Sequence, residues 1–373
     1  MSSTTTDSDP VSKHRPQRLV QSKLTSAFFS PKATGNVSPY FTIPPVEPAS
    51  PSPTPEISTP PVDLHPSRRS NLIGSPLRLQ TSSSSSSSTH RMLLAATAAE
   101  TKSLLPRLLA SAPHAPASGQ LIHRAAPLDP KFCPHYPRSA IRVLNADTLD
   151  AAIALSKEIL PTTTTTTGVV ANATVPRPVC ILNMANANHA GGGWTRGALA
   201  QEESLCYRSS LSFSLKKRFY PIPDAGSIYS PSVLVLRESL ASGHGLLDLA
   251  HPDDLPVVSV VSVAAITDPP LSKDGLGYQN LGDREEMKEK MRVVLRIAGR
   301  KGHRRLVLGA LGCGAFGNPR AAVVGCWREV FGELEFAGGW WEAVVFAVME
   351  EGGVKDGDGN FGEFWRGLGG FVV

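Results

Sequence analysis

Residues 179–183 read VCILN and residues 191–203 read GGGWTRGALAQEE, so an apolar stretch precedes a triple glycine and then Gln-Glu-Glu. A strand that runs through a loop without side chains into a helix is typical of α/β domains. The glycines let the loop backbone adopt conformations closed to other residues and approach a ligand closely. The helix then opens with Glu202 and Glu203, which put two carboxylates beside that loop. The segment therefore indicates an enzyme site.

Outward from this segment, apolar runs alternate with helical periodicity. We predict strands at residues 140–144, 179–182, 232–236, 256–266, 305–308 and 343–348. We predict helices at residues 91–109, 148–160, from 198 onward, 283–300, 319–331 and 361–368. Several strands are apolar throughout, as in a sheet covered on both faces, so we expect one three-layer α/β/α domain with a mixed central sheet over residues 91–373.

Three details of these helices can be tested directly. Pro106 is expected to end or kink the first helix. Ala200, Tyr207, Leu211 and Leu215 fall at helical spacing and predict one buried stripe along a single helix. Asp283 is the expected cap of the charged helix that follows it.

The composition separates a tail from the domain. Residues 1–90 are rich in Ser, Thr and Pro and lack periodicity, which predicts disorder. Residues 1–131 carry 13 Lys and Arg against 7 Asp and Glu, while the whole chain nets +5, so the remainder is close to neutral. The basic character therefore belongs to the tail, where any nucleic-acid affinity would be weak and salt-sensitive. The six threonines at 162–167 predict a low-complexity loop insertion.

The five cysteines form no C-x-x-C pair and have no zinc spacing, which indicates buried thiols in a reducing compartment. No apolar run reaches transmembrane length and the first residues lack a signal-peptide core. We therefore expect a soluble, monomeric, intracellular protein of the nucleus or cytoplasm.

A second glycine-rich loop follows the strand at 305–308, where residues 309–319 read GALGCGAFGNP. Its backbone amides, together with the start of the next helix, suit a phosphate. Neither loop holds the Gly-Lys-Ser/Thr signature of nucleoside-triphosphate hydrolysis. One glycine cluster alone is often only a tight turn. Two such loops in one domain, one beside paired glutamates, favour a phosphate-bearing ligand.

Together these motifs resemble the macrodomain superfamily, and within it the bacterial or microbial-type poly(ADP-ribose) glycohydrolases. The marks of that family are a triple glycine followed after a short spacer by Gln-Glu-Glu, and a Gly-x-Gly-x-Phe loop near Asn-Pro. The resemblance spans residues 91–360 and leaves out the tail. Two positions depart from the family pattern, since Ala190 stands where proline is usual and Trp194 stands where Phe is frequent.

The resemblance implies hydrolysis of ribose–ribose glycosidic bonds in poly(ADP-ribose), with release of ADP-ribose and with neither cofactor nor metal. It makes Glu203 the catalytic acid and Glu202 the residue that holds the hydroxyls of the reacting ribose. It implies a substrate-binding set of Asn183, Gly191, Gly192, Gly193, Gln201, Gly312, Cys313, Gly314, Ala315 and Phe316. In this set the first loop lies along the ribose and the diphosphate, with Asn183 helping to fix it. The second loop supplies diphosphate-binding amides, and Phe316 packs against ribose. Asp147 is the implied adenine contact.

Adjacent residues on a helix point about 100° apart, so Glu202 and Glu203 cannot both flank one bond. One acid must therefore transfer the proton while the other binds. Burial and repulsion between the carboxylates raise the pKa of one of them, whereas the helix N-terminus opposes this. Two alternative functions are removal of single ADP-ribose units and non-catalytic binding of ADP-ribose. The structural alternative for the pair is an ordinary acidic first turn on a solvated helix.

Four further features have a structural and a functional interpretation. For His189 a loop contact is favoured over a general base, and for Cys313 a small buried residue is favoured over a reactive thiolate. Trp340 and Trp341 are better explained by packing than by base stacking. Residues 21–29, QSKLTSAFF, resemble a sliding-clamp-binding peptide with one residue too many before the aromatics. The alternatives are a tail that binds a partner protein and a chance match, and the chance match is favoured.

Overall fold

The computed structural model describes residues 83–158 and 177–373, all of which fall within one compact unit. The helices are α1 (Ser83–Ala110), α2 (Thr148–Lys157), α3 (Gln201–Arg208), α4 (Leu211–Ser214), α5 (Leu281–Arg300), α6 (Arg320–Phe331) and α7 (Asn360–Leu368). The strands are β1 (Gln120–Ile122), β2 (Arg142–Leu144), β3 (Cys180–Met184), β4 (Ser227–Leu234), β5 (Val257–Val263), β6 (Arg305–Leu308) and β7 (Ala343–Ala347).

The seven strands form one mixed sheet in the order β1-β4-β5-β3-β6-β7-β2. Strands β5, β3, β6, β7 and β2 are parallel, whereas β4 runs antiparallel to both β5 and β1. Strand β3 lies at the centre, with β5 on one side and β6 on the other. The carboxyl ends of these three strands therefore meet at one edge of the sheet.

The sheet is covered on both faces, as the apolar strands predict. Successive residues of β3 alternate between two cores, since Ile181 packs with α2 and α3 whereas Cys180 and Leu182 pack with α5 and α6. Strand β6 follows the same rule, with Val307 in the first core and Leu308 in the second. Because side chains of a strand point alternately to its two faces, a strand buried on both must be apolar at every position. The predicted three-layer α/β/α architecture is confirmed.

Helix α1 differs from its prediction at both ends. It begins at Ser83, before the expected domain boundary at residue 91, and it continues through Pro106 to Ala110. Proline costs a helix one hydrogen bond and a steric clash. Leu105 and Leu108, on either side of it, are buried against Leu234 of β4 and its neighbours. This packing holds the helix together across the proline.

The single helix predicted from residue 198 onward is instead two helices. Helix α3 ends at Arg208 because Ser209 adopts an extended conformation and forms a β-bridge with Val235. The amide of Ser210 donates to Leu234 O at 2.9 Å, so the chain joins the end of β4 before α4 begins. Ala200 is exposed, and the predicted stripe is therefore wrong at that residue.

Two local predictions also change. Asn280 occupies the N-cap position of α5 without a capping side-chain hydrogen bond, and Asp283 lies within the first turn, where its carboxylate accepts from Asn280 Nδ2 at 3.0 Å. The short edge strand β1 was not predicted, since three residues are too few to show a periodicity.

Several predictions fall on residues outside the described ranges. They are most of the Ser/Thr/Pro-rich tail, the clamp-like peptide at 21–29 and the threonine run at 162–167. Within the described ranges, none of the helices has the length and apolarity needed to cross a membrane. All five cysteines are free thiols, four of them buried. Trp340 and Trp341 are buried in the core, as expected.

Candidate active site

The triple glycine lies beyond the carboxyl end of β3, the central strand. Gly191 and Gly192 have φ angles of 72° and 58°, in the left-handed region that favours glycine. A Cβ atom on Gly192 would stand 2.3 Å from Glu203 Oε1 and 3.2 Å from Glu202 Oε2. The loop backbone is therefore pressed against both carboxylates, which only glycine permits.

Glu202 is enclosed by the end of β3 and the loop that leaves it. Its side chain is 3 % exposed, Asn183 Nδ2 donates to Oε1 at 3.2 Å, and the amide of Asn186 donates to Oε2 at 2.8 Å. Burial raises the pKa of Glu202 to about 8; the hydrogen bonds from Asn186 and Asn183 oppose the rise, and the charge of Glu203 adds to it. The site therefore holds one carboxyl group that is largely protonated at neutral pH.

Glu203 points to a different part of the loop. It is 9 % exposed, and the amide of Gly193 donates to its Oε1 at 2.8 Å. Glu202 is held by the strand end and Glu203 by the triple glycine, in line with the angle between neighbouring helical residues. The pair is not an acidic first turn on a solvated helix face, because both side chains are buried.

Gln201 has a structural position. Its Nε2 donates to Leu182 O at 2.7 Å and to Thr148 Oγ1 at 3.3 Å, while its Oε1 accepts from the amide of Met184 at 3.0 Å. Both ends of this amide are engaged with β3, so Gln201 fastens the start of α3 to the strand. We interpret it as a residue that places the two glutamates, rather than as a substrate contact.

The underside of the loop rests on aromatic side chains. The Tyr207 hydroxyl lies 2.8 Å from Trp194 O and 2.7 Å from Ala198 O, and the Trp194 and Tyr207 rings meet edge to face. A Cβ on Gly191 would lie 2.9 Å from both the Trp194 ring and Cys206 Sγ. Trp194 is thus a buried support of the loop, which explains how an aromatic residue larger than Phe fits there.

Helix α1 also supports the first loop. After the triple glycine the chain forms a single turn of 3-10 helix at Trp194–Arg196, which ends at Gly197 with φ 75°. A Cβ on Gly197 would lie 2.0 Å from Arg91 O, so the two backbones touch. The first loop therefore packs against buried core residues and against the backbone of α1.

The second glycine loop is organised by Asn318. Its Nδ2 donates to Ile266 O, Gly312 O and Phe316 O at 2.7, 3.1 and 3.2 Å, and its Oδ1 accepts from the Tyr278 hydroxyl at 2.9 Å. Gly312 has φ 76°, and a Cβ there would stand 2.5 Å from Asn318 Nδ2. One buried amide therefore fixes both ends of the loop.

This loop presents backbone donors. Within the part of the chain that the structure describes, the amides of Gly314, Ala315 and Phe316 donate to no protein acceptor, whereas the amide of Cys313 donates to Ala310 O at 3.1 Å. Burial raises the pKa of Cys313 to about 12, which agrees with a packed thiol rather than a reactive thiolate. Three consecutive unpaired amides are donors of the kind that can hold an anion.

The two loops begin at neighbouring strand ends. A Cβ on Gly309, at the end of β6, would lie 3.5 Å from Met184 Sδ at the end of β3. A Cβ on Gly312 would lie 2.8 Å from Ala265 Cβ, just beyond β5. The loops thus leave neighbouring strand ends, the position where ligands bind in open α/β sheets.

The side chain of Asp147 is bonded to groups of the protein itself. It caps α2 by accepting from the amides of Leu149 and Asp150, and it pairs with the buried guanidinium of Arg208. Ser204 Oγ donates to its second oxygen at 3.3 Å. Both carboxylate oxygens are engaged within the protein, so the structure assigns Asp147 to the scaffold of α2 and α3. His189 is exposed in the first loop.

Two residues near Glu202 were not predicted. Asn186 donates its amide to Glu202, and the position of an Asn just beyond an apolar strand was the only signal for it. Tyr220 has a buried hydroxyl with no partner among the described residues, and burial, with the charge of Glu202, raises its pKa. The position of Tyr220 near Glu202 depends on tertiary packing, so the sequence holds no signal for it.

Among the described residues no three His, Cys, Asp or Glu side chains lie close enough together to hold a metal ion.

The sheet with helices on both faces, and with two buried glutamates and two glycine loops at its carboxyl edge, defines a macrodomain-like protein. Residues 91–238 match the family model of the microbial-type PARG, catalytic domain. The matched span holds the triple glycine and both glutamates, so the similarity to that family includes the candidate site.

Solved structures give the same result. The poly(ADP-ribose) glycohydrolase of Thermomonospora curvata is 28 % identical with a TM-score of 0.55, and the match covers 74 % of this chain and 99 % of that one. The same enzyme bound to the inhibitor ADP-HPD is 29 % identical with a TM-score of 0.54, and the coverage is again 74 % and 99 %. A search of curated proteins gave no significant match.

Proposed function

We propose that the chain hydrolyses ribose–ribose glycosidic bonds in poly(ADP-ribose) and releases ADP-ribose. The observation that carries this proposal is the buried pair Glu202 and Glu203, held against the triple glycine at the end of β3. Binding alone would not require two adjacent buried carboxylates, since each costs desolvation energy. The pair therefore favours a catalyst over a domain that only binds ADP-ribose.

In the proposed reaction Glu203 transfers the proton. It protonates the bridging glycosidic oxygen as the bond from that oxygen to the anomeric carbon breaks, which leaves an oxocarbenium ion on the ribose. The carboxylate of Glu203 then takes a proton from a water molecule as the oxygen of that water bonds to the anomeric carbon. The proton that Glu203 gave away is thereby restored, and the substrate's own diphosphate stabilises the cation between the two steps.

Glu202 holds the reacting ribose. With its pKa raised to about 8, it presents a neutral carboxyl group that both donates to and accepts from sugar hydroxyls. Asn183 and the amide of Asn186 hold the carboxyl group in a single orientation. A fixed partner for the ribose keeps the anomeric carbon beside Glu203.

The second loop binds the diphosphate. The unpaired amides of Gly314, Ala315 and Phe316 belong to a loop that leaves β6, the neighbour of β3, and Asn318 holds this loop in place. Backbone amides that are already oriented bind an anion without the cost of ordering a side chain. In this arrangement Gly191, Gly192 and Gly193 lie along the ribose, while Gly312 and Cys313 shape the loop.

The decisive experiment compares wild type with Glu203→Ala and Glu203→Gln on two substrates, poly(ADP-ribose) and a protein carrying single ADP-ribose units. We expect the wild type to release ADP-ribose from the polymer and both variants to lose at least about a hundredfold in kcat, since general acid catalysis contributes about 10²–10⁴. ADP-ribose binding should survive in both variants. Glu351→Ala, at an exposed position, is the matched control and should behave as wild type.

Two outcomes would contradict the proposal. Tight ADP-ribose binding with no release from either substrate by the wild type would make the chain a binding module. Release only from the singly modified protein would make it a mono-ADP-ribosyl hydrolase. A monomeric state and a location in the nucleus or cytoplasm stay predictions from the sequence.

A further inference from the structure

A cavity of about 410 Å³ lies at the edge of the sheet opposite the glycine loops. Its wall includes Arg177, just before β3, and Lys301, between α5 and β6. Both positions mark the amino ends of parallel strands, whereas the glutamates and glycine loops lie beyond the carboxyl ends. At about 3.3 Å per strand residue, the nine residues from Arg177 to Asn186 place this cavity up to about 30 Å from the catalytic pair.

A second cavity of about 210 Å³ continues the first. The two share Gln120, Arg300 and Lys301, and the second adds Arg124. We call the two cavities together the basic groove. Four cationic side chains, from three separate parts of the chain, therefore line one depression.

The cations of the basic groove lack carboxylate partners. Among the residues that the structure describes, none of the four side chains forms an ion pair, and their bonds are to neutral groups: Lys301 Nζ to Gln120 Oε1 at 3.3 Å and Arg300 to Pro127 O at 3.5 Å. Arg300 ends helix α5, and on that helix Arg292 and Arg296 each pair with two or more glutamates. The end of α5 thus presents uncompensated positive charge, which an anionic ligand would neutralise.

One wall of the groove contains Tyr229, which contacts Lys301 and His303. Lys301 Nζ lies 5.0 Å from the centre of the Tyr229 ring, so this largely buried ring faces a cation within the cavity wall. The Tyr229 hydroxyl bonds to His303 Nε2 at 2.9 Å, and His303 Nδ1 lies 3.0 Å from Pro178 O. Burial lowers the pKa of His303 to about 4, so this histidine is neutral and serves to fix the tyrosine. Since the ring is covered by Lys301, the groove suits phosphate groups better than a stacked base.

We propose that the basic groove binds phosphate groups of a poly(ADP-ribose) chain at a distance from the terminus being cut. This rests on the proposed function, because the substrate is then a polymer that carries a diphosphate in every unit. The glycine loops bind the terminal unit, and a sufficiently long chain reaches the opposite edge of the sheet. The groove makes affinity depend on chain length and on salt, and it leaves the chemistry at Glu203 unchanged.

The test uses a groove variant, Arg177→Ala with Arg300→Ala and Lys301→Ala, in the full chain. Its matched control replaces three exposed cations outside the groove that also lack ion pairs: Lys102→Ala with Arg107→Ala and Arg138→Ala. KM and kcat are measured on length-sorted polymer and on the shortest cleavable oligomer. We expect the groove variant to raise KM for long polymer about tenfold or more, with kcat kept and the short oligomer unaffected. The dependence of log KM on log salt should weaken by about 0.7 for each phosphate that the variant no longer neutralises.

Direct binding of long polymer to Glu203→Ala, with and without the groove substitutions, separates this proposal from the proposed function. If the wild type cleaves nothing, the proposed function fails, and the binding comparison still tests the groove. If cleavage is normal and the groove variant matches the control triple on long polymer, the groove assignment is wrong and the proposed function stands. A groove variant that weakens binding of single-stranded DNA of equal charge but not of the polymer also overturns the assignment.

Discussion

Glu202 shows how burial of one residue sets the protonation of the site. In an unfolded chain this carboxyl group titrates near its ordinary value of 4.5, and in the folded protein burial raises its pKa to about 8. Between these two values the folded protein holds a proton that the unfolded chain releases. The free energy of unfolding therefore falls as the pH rises through this window, and below it Glu202 contributes no pH dependence.

Replacing Glu202 with Gln should remove this dependence, because the amide stays neutral at every pH. We expect Glu202→Gln to gain stability relative to wild type as the pH rises from 5 to 8, by at most about 1.4 kcal/mol for each pH unit. Urea unfolding at four pH values measures the difference. Glu351→Gln, at an exposed position, should run parallel to wild type. If Glu202→Gln also runs parallel, the carboxyl group is not titrating in this range.

The motif residues could be predicted at this scale, and their partners could not. The triple glycine and Gln-Glu-Glu indicated where carboxylates meet a loop, because the residue types and their spacing are local. Gln201 and Asp147 were expected to touch ligand, yet their side chains are engaged with β3 and Arg208. A polar side chain has the same appearance in the sequence in either role, and only the folded partners distinguish the two.

At the scale of the element, the first loop acts as a rigid support for Glu203. Ala at position 192 would share the strained φ of 58° and would also place its Cβ against Glu203 Oε1. We expect Gly192→Ala to lower kcat about a hundredfold, since a displacement of about 1 Å at the catalytic group costs that much. Gly275→Ala is the control, because Gly275 has φ 71° with nothing within 4 Å of its Cβ position. Both variants should lose similar stability, by thermal melts, and only Gly192→Ala should lose activity.

Equal loss of activity in the two glycine variants would mean that backbone strain, and not contact with Glu203, is responsible.

Two predictions about helices were wrong because tertiary contacts decided where those helices end. Helix α1 passes through Pro106 and the helix after residue 200 stops at Arg208, each time because packing or pairing with β4 outweighs the local preference. The buried strands were predicted well, since a strand covered on both faces must be apolar whatever its neighbours are.

At the scale of the whole molecule, net charge was a poor guide to surface chemistry. The net charge of the domain is close to zero, which suggested that the basic character of the chain lay in the tail. The fold instead pairs many charges on α5 with glutamates. It brings Arg124, Arg177, Arg300 and Lys301 together at one edge, with no carboxylate partner among the residues that the structure describes. A sum over the sequence cannot show this, because the four residues come from three separate parts of the chain.

A buried ion-pair network lies in the helical layer that carries Glu202 and Glu203. Arg208, which is 1 % exposed, ends α3, pairs with Asp147 and Asp150 of the α2 region, and donates to Arg237 O at 3.2 Å. Removing one partner of a buried pair leaves the other charge uncompensated, at a cost of about 3–5 kcal/mol. We therefore expect Arg208→Met to lower the free energy of unfolding by about 3 kcal/mol or more, as measured in urea. Arg142→Met, which breaks an exposed pair with Glu158, should cost at most about 1 kcal/mol. Equal losses in the two variants would show that Asp147 finds water or another donor once Arg208 is gone, and that the network does not hold the layer together.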